Sequence, residues 1–124
     1  MSVTFLTDAT EITGLTKDGT WRTATLSVPS DTTVVFLRCR NIDVNARYFD
    51  FRAPGSTDIF LNQGFASAFY YYHVVKVISQ QIEYRIQNTD IEVHLIGYAN
   101  SGTWLTNVNN LSLSATGSYE TIDL

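Results

Sequence analysis

Cysteine occurs once in this chain, at Cys39, and proline twice, at Pro29 and Pro54. A single cysteine excludes an intrachain disulfide. Its place in the apolar alternation Val35, Leu37, Cys39 reads as a small buried hydrophobe rather than a nucleophile or ligand. Positive charge is also sparse. Lys17 and Lys76 are the only lysines, and 8 Lys plus Arg stand against 12 Asp plus Glu for a formal charge of −4. Nothing here builds the basic field that attracts a phosphate backbone, so nucleic acid is not expected as a partner. No stretch approaches the roughly 18 uninterrupted apolar residues of a membrane-spanning helix, so no membrane contact is expected. Met1-Ser2-Val3-Thr4 has neither the charged n-region nor the apolar h-region of an export signal, and no signal peptide is expected.

Helical periodicity is missing as well, and alternation of period 2 takes its place. In residues 20–28, Arg22, Ala24, Leu26 and Val28 alternate with Trp21, Thr23, Thr25 and Ser27. Pro29-Ser30-Asp31 then supplies a turn, and a hairpin partner is expected over residues 33–42, with Val35, Leu37 and Cys39 inward and Phe36, Arg38 and Arg40 outward. Residues 46–52 place Phe49 and Phe51 on one face, before Ala53-Pro54-Gly55-Ser56 breaks the strand. Asn62-Gln63-Gly64 marks another turn.

The longest strand candidate covers residues 67–78, with Phe69, Tyr71, His73, Val75 and Val77 on one face and Tyr70, Tyr72, Val74, Lys76 and Ile78 on the other. Ile82, Tyr84 and Ile86 define a half-exposed strand that turns at Asn88-Thr89-Asp90 into Ile91, Val93 and Leu95, read as an antiparallel meander. Seven or more short strands at this spacing predict an all-β antiparallel sandwich, jelly-roll or immunoglobulin-like, with a barrel as the alternative. The expected core is Leu26, Val35, Leu37, Phe49, Phe51, Val75, Val77, Ile91, Val93 and Leu95. At 124 residues the chain fits one domain, and 44% hydrophobic residues are enough for a core.

Catalysis needs converging ionisable groups, and the inventory is thin. His73 and His94, the two histidines, each lie within a strand and read as ordinary strand-face residues. A triad of His73, Asp50 and Ser67 can be drawn, but residue types this common carry nothing without geometry. Asp31, Asp43, Asp50 and Asp58 lack the spacing of a calcium loop, and turn-capping fits Asp31 and Asp43 better. Gly55 and Gly64 are isolated, so no phosphate cradle exists. Asn110-Leu111-Ser112 fits a glycosylation sequon that is incidental without export. The expectation is a non-enzymatic protein with no catalytic residue, cofactor or metal.

Binding features are clearer. Phe69-Tyr70-Tyr71-Tyr72 must send Tyr70 and Tyr72 to the face opposite Tyr71, and tyrosine suits both protein interfaces and sugar-stacking platforms. Arg38 and Arg40 share a strand face and could pair with a neighbour's carboxylates. Trp21, Trp104 and Tyr119 complete the candidate contact set. The last two belong to an internal echo: Thr103-Trp104-Leu105-Thr106-Asn107 repeats Thr4-Phe5-Leu6-Thr7-Asp8, and Gly117-Ser118-Tyr119-Glu120-Thr121 repeats Gly19-Thr20-Trp21-Arg22-Thr23. Ile12 matches Leu111, Leu15 matches Leu113 and Leu26 matches Leu124. Residues 1–98 therefore read as one sandwich domain. Residues 99–124 read as a partial second repeat or strand-donating arm, too short to fold alone.

Gly19-Thr20-Trp21-Arg22-Thr23 before a Pro turn, then Phe49-Asp50-Phe51-Arg52-Ala53-Pro54-Gly55-Ser56-Thr57-Asp58, then Ile91-Glu92-Val93-His94-Leu95-Ile96-Gly97-Tyr98, together resemble the β-sandwich domains of tailed-bacteriophage virion proteins. The resemblance covers most of residues 1–98 and has no catalytic residues to transfer. It implies a structural or attachment module of head-decoration, fibre or tail-appendage type, made in the host cytoplasm and located in the virion. Its partners would be copies of itself and other virion proteins, and the alternative is a module that binds host surface glycans through exposed Tyr or Trp.

Overall fold

A computed structural model describes residues 1–59, 62–64, 70–107 and 117. Among these there are eight strands and no helix: β1 (Val3–Glu11), β2 (Arg22–Thr25), β3 (Val34–Asn41), β4 (Arg47–Arg52), β5 (Asn62–Gly64), β6 (Tyr70–Lys76), β7 (Gln81–Ile86) and β8 (Ile91–Ala99). They form two four-stranded sheets, β1-β8-β3-β6 and β2-β7-β4-β5, with every pair antiparallel. The fold is an all-β antiparallel sandwich. First strand pairs with last, second with seventh, third with sixth and fourth with fifth. A long hairpin rolled up on itself gives this nested order, which is the strand order of a jelly roll.

The interior follows the alternation of the sequence. Val35, Leu37 and Cys39 of β3, Ile91, Val93 and Leu95 of β8, and Val75 of β6 meet Ala24, Phe49, Phe51, Ile82, Tyr84 and Ile86 of the other sheet, with Leu26, Val28 and Val77 at the strand ends. Every residue of the expected core is in this cluster. Fully burying one such side chain contributes roughly 1.5–3 kcal/mol, so the layer between the sheets is the main source of stability.

Two expected hairpins are absent. The Pro29 turn forms, with the Thr32 amide donating to the Pro29 carbonyl, but it carries the chain from β2 in one sheet to β3 in the other. The Asn88 turn likewise carries β7 into β8 across the layer. In both cases the flanking strands place apolar residues on the same interior from opposite sides, a pattern that alternation alone cannot tell from a hairpin. Among consecutive strands only β4 and β5 pair with each other. The β6-to-β7 connection also crosses, through Ser79 (φ 50°) and Gln80 (φ 61°) between the bridged residues Ile78 and Gln81. Both are left-handed, a conformation that most side chains resist. Gln80 is tied by its carbonyl to the Leu26 amide and by its side-chain amide to the Val28 carbonyl.

β8 runs to Ala99, and residues 100–107 turn back across the body. Asn100 clasps Ser2 in both directions, and Ser101 accepts the Thr33 hydroxyl. Lys76 reaches Thr106, and Asn107 accepts from the Ser56 hydroxyl and the Thr57 amide. Residues 100–107 are thus bound to the body of the sandwich, and residues 108–116 and 118–124 of the expected arm lie outside the described residues. The first echo is not matched in conformation, since residues 4–8 lie in β1 and residues 103–107 are in no strand. The second pairs two left-handed glycines, Gly19 (φ 78°) and Gly117 (φ 77°). The rest of that echo lies outside the described residues.

Replacing Ser79 by glycine removes the side-chain penalty at a left-handed position and leaves the Gln80 bonds intact. Urea denaturation of Ser79→Gly is expected to give about 0.5–1 kcal/mol of added stability.

Candidate functional site

The outward face of the β1-β8-β3-β6 sheet carries side chains that a solitary molecule would leave wet. Antiparallel register lines them up in rows. Val74, Phe36, Gly97 and Phe5 form one row across all four strands, Tyr72, Arg38, His94 and Glu11 the next, and Tyr70, Arg40 and Glu92 the third. Phe5 is 69% exposed, Tyr72 66%, Val74 62% and Tyr70 46%. Scattered apolar residues are normal on a surface, but a contiguous aromatic patch is not.

The apolar row is held together by a glycine. The rings of Phe5 and Phe36 stack with centroids 5.6 Å apart, lying over Gly97. A β-carbon at position 97 would stand 2.7 Å from the Thr4 carbonyl oxygen, 3.0 Å from the Phe5 ring and 3.2 Å from the Phe36 ring. Strand β1 can lie against β8 here only because position 97 has no side chain.

In the polar rows the Arg38 guanidinium lies 4.5 Å from the centre of the Tyr70 ring, with that of Arg40 at 5.6 Å. Arg40 also bonds Glu92 at 3.1 Å, whereas Arg38 has no ion pair among the described residues. Arg38 Nε, Arg40 Nε and His94 Nδ1 are buried without a hydrogen-bond partner. A buried donor left in this state costs of the order of 1–3 kcal/mol, and Arg85 Nε on the other sheet is in the same state. At the far end Val34 has the outward register yet is fully buried. Residues 101–106, tied to Thr33 and Lys76 on either side of it, close that end of the face.

The other sheet uses the same residue types differently. Arg52 bonds Glu83 at 2.7 Å and stacks 3.8 Å from the Trp21 ring centre. Arg85 bonds the fully buried Asp50 at 2.6 Å and lies 5.1 Å from Trp21 and 5.3 Å from Tyr48. Glu83 is partly buried, which raises its affinity for protons, but the Gly55 amide and Arg52 outweigh this and lower its pKa. Trp21 is thus bound up within its own molecule.

Of the candidate contact residues, the structure brings Arg38, Arg40, Tyr70 and Tyr72 onto one face and puts Trp21 on the opposite sheet. Trp104 is half-buried and donates to the Ser101 carbonyl. Tyr119 lies outside the described residues. Phe5 and Gly97 join the site without having been singled out, because residues 3–11 stood out as an echo and not as a strand. The alternation of Val3 and Phe5 with Thr4 and Leu6 was the available signal.

The ionisable groups are structural. His73 packs inside the sandwich with its ring 5.6 Å from Phe49 and 5.2 Å from Phe51, and the third member of the paper triad, Ser67, lies outside the described residues. Asp43 caps its turn by accepting from the Asn45 amide, Arg47 and Asn88, which together hold it down to about 2. Asp31 accepts from the Asn100 side chain. Burial pushes the Cys39 thiol well above its ordinary range, as expected of an inert core cysteine.

A second feature is a groove of about 600 Å³ at the edge where β1 lies over β2. Both pairings of β8 change register there. Residues 6–9 of β1 stand opposite Ile96 alone, between the pairs Phe5–Gly97 and Thr10–Leu95, and β3 skips Ile96 as well. The three extra residues bow β1 away from the layer, as a bulge does. Leu6, Ile12, Leu26, Val28, Leu95 and Tyr98 supply apolar walls, and Thr10, Glu11, Thr13, Thr25 and Ser27 a polar rim.

Two predictions follow from the geometry. Gly97→Ala forces β1 or the ring pair to shift and should cost about 1–3 kcal/mol by urea denaturation, with lost near-ultraviolet dichroism from the Phe pair. Burial holds the His73 imidazole below its ordinary 6.5, opposed by the nearby Asp50 charge. The unfolded chain then takes up a proton near pH 6.5 that the folded chain resists, so this contribution to stability is complete above pH 6.5 and is lost as pH falls below it. Unfolding free energies measured from pH 7.5 to 5 should decline, and less steeply in His73→Gln.

No protein-family model, no curated protein and no solved structure matches this chain.

Proposed function

We propose that this protein is a non-enzymatic structural subunit of a tailed-bacteriophage virion, a β-sandwich that assembles with copies of itself through the outward face of β1-β8-β3-β6. The observation that carries this reading is the continuity of that face, in which exposed Phe5, Val74 and Tyr72 run into Arg38 and Arg40 in the adjoining rows. Aromatic residues and arginine are the types enriched at protein interfaces, and truncating them costs most there. The virion assignment rests on the motif resemblance over residues 1–98, which the sandwich architecture fits.

Size argues that this face is one of two contacts. Four strands about 4.8 Å apart and rows about 3.3 Å per residue give a patch of roughly 20 Å by 20 Å, about half of the roughly 800 Å² per partner in a stable interface. The chain beyond Asn107 supplies the second contact in this reading, by pairing with a neighbouring sandwich.

Sedimentation velocity at micromolar concentration tests the reading. The full chain should form a defined oligomer, and Phe5→Glu with Tyr72→Glu should weaken it by at least tenfold in concentration while leaving the fold intact. A monomeric full chain would sink it. One observation favours host-glycan binding as a second reading: Tyr70 is covered by arginine, whereas Tyr72 leaves its ring open beside Arg38. Glycan-array binding lost in Tyr72→Ala, with assembly unchanged, would put that reading first.

A further inference from the structure

We infer that the groove between β1 and β2 is the acceptor for residues 108–124 of a second copy of this chain, which adds there as a strand. The inference rests on the assembly reading and specifies its second contact.

The acceptor is built as such sites need to be. Among the described residues β1 and β2 are edge strands of their sheets, and an edge strand presents a row of main-chain donors and acceptors to an added strand. Between them the bowed β1 exposes the interior. A cleft of about 600 Å³, lined by apolar and polar side chains in similar measure, has room for several aliphatic side chains and lies within the range of sites that bury ligands. Leu6, Ile12, Leu26 and Leu95 form its floor, and hydroxyl groups from Thr10, Thr13, Thr25 and Ser27 edge it.

The donor segment has the complementary pattern. Leu111, Ser112, Leu113, Ser114 and Ala115 alternate apolar and polar with period 2, as a strand with one face in a groove and the other in water requires. Leu111 and Leu124 are also the counterparts of Ile12 and Leu26 in the internal echo, and both of those residues line the groove. The segment thus carries the residue types that already pack in this place.

The placement of the two ends points to a second copy as the supplier. The chain is fixed at Asn107 against Ser56 and Thr57, and at Thr106 against Lys76 of β6. β6 is the edge of its sheet opposite β1. Donor and acceptor therefore sit on opposite edges of the sandwich, about 15 Å apart across three strand spacings. A donor that leaves one edge and an acceptor that opens on the other join copies head to tail. Such heterologous contacts close into a ring or continue as a filament, and both forms suit a virion component. Extended, residues 108–124 reach of the order of 55–60 Å, so length permits a turn back onto the chain's own groove, and the experiment must distinguish the two.

A photo-crosslinking residue, p-benzoylphenylalanine, placed at exposed Thr13 on the groove rim reads the occupant directly. Full-length chains labelled with nitrogen-15 and unlabelled chains are mixed, unfolded, refolded together and irradiated, and the joined peptides are identified by mass. The expected result is peptides from residues 108–124 joined to residue 13 in mixed-isotope pairs. Links formed only within one isotopic chain, links to another part of the protein, or no link at all would overturn the inference. Deleting residues 108–124 gives a second readout: sedimentation should show at least a tenfold weaker oligomer, and unchanged assembly would overturn the groove as acceptor while leaving assembly through the aromatic face standing. A full chain that is monomeric throughout defeats the assembly reading itself.

Discussion

The pairing of β3 with β8 is the contact on which the rest of this molecule depends. It joins residues 34–41 to residues 91–99 over eight pairs, and inward it supplies Val35, Leu37, Cys39, Ile91, Val93 and Leu95, the half of the interior that the other sheet packs against. Each strand holds a further neighbour on its free side, β6 beside β3 and β1 beside β8. Without this pair the first sheet is two separate edges. Because nearly all pairings join distant parts of the chain, loop closure must precede most of the contacts that repay it, and folding on the slower side of single domains is the natural consequence.

The two sheets solve the same chemical problem in opposite ways. Arg52 and Arg85 have carboxylates facing them in register, Glu83 and Asp50, and a tryptophan covers the result. Of Arg38 and Arg40 only the latter has a carboxylate partner among the described residues, Glu92, and both lie against a tyrosine that remains half in water. The difference lies in which residues the register sets opposite each other: β7 brings alternating Glu and Arg to β4, whereas β6 brings Tyr72 and Tyr70 to Arg38 and Arg40. Both arginines of one sheet have carboxylate partners, although Arg85 Nε has no hydrogen-bond partner among the described residues, whereas the other sheet carries an arginine, Arg38, with no ion pair among them.

Much of this was legible in the sequence. The period-2 alternation identified the all-β class, the inward residues of β3, β4, β6, β7 and β8, and the shared face of Tyr70 and Tyr72, because burial on one side of a pleated strand writes itself directly into residue order. Partner choice was not legible. Pro29 and Asn88 read as hairpin turns, but a tight turn between two half-apolar strands looks the same whether it stays in a sheet or crosses to the next. Ser79-Gln80 carries no glycine or asparagine, so its left-handed turn left no compositional trace. Phe5 and Gly97 escaped notice because their importance is mutual: neither is unusual alone, and the register that sets one over the other joins positions more than ninety residues apart.

Ser2 and Asn100 hold each other by two hydrogen bonds, just beyond the last rung of the β1–β8 ladder, Val3 opposite Ala99. An edge strand fastened at its outer end cannot be peeled from its neighbour until that clasp breaks, so fraying of β1 has to start from its other end or from its bowed middle.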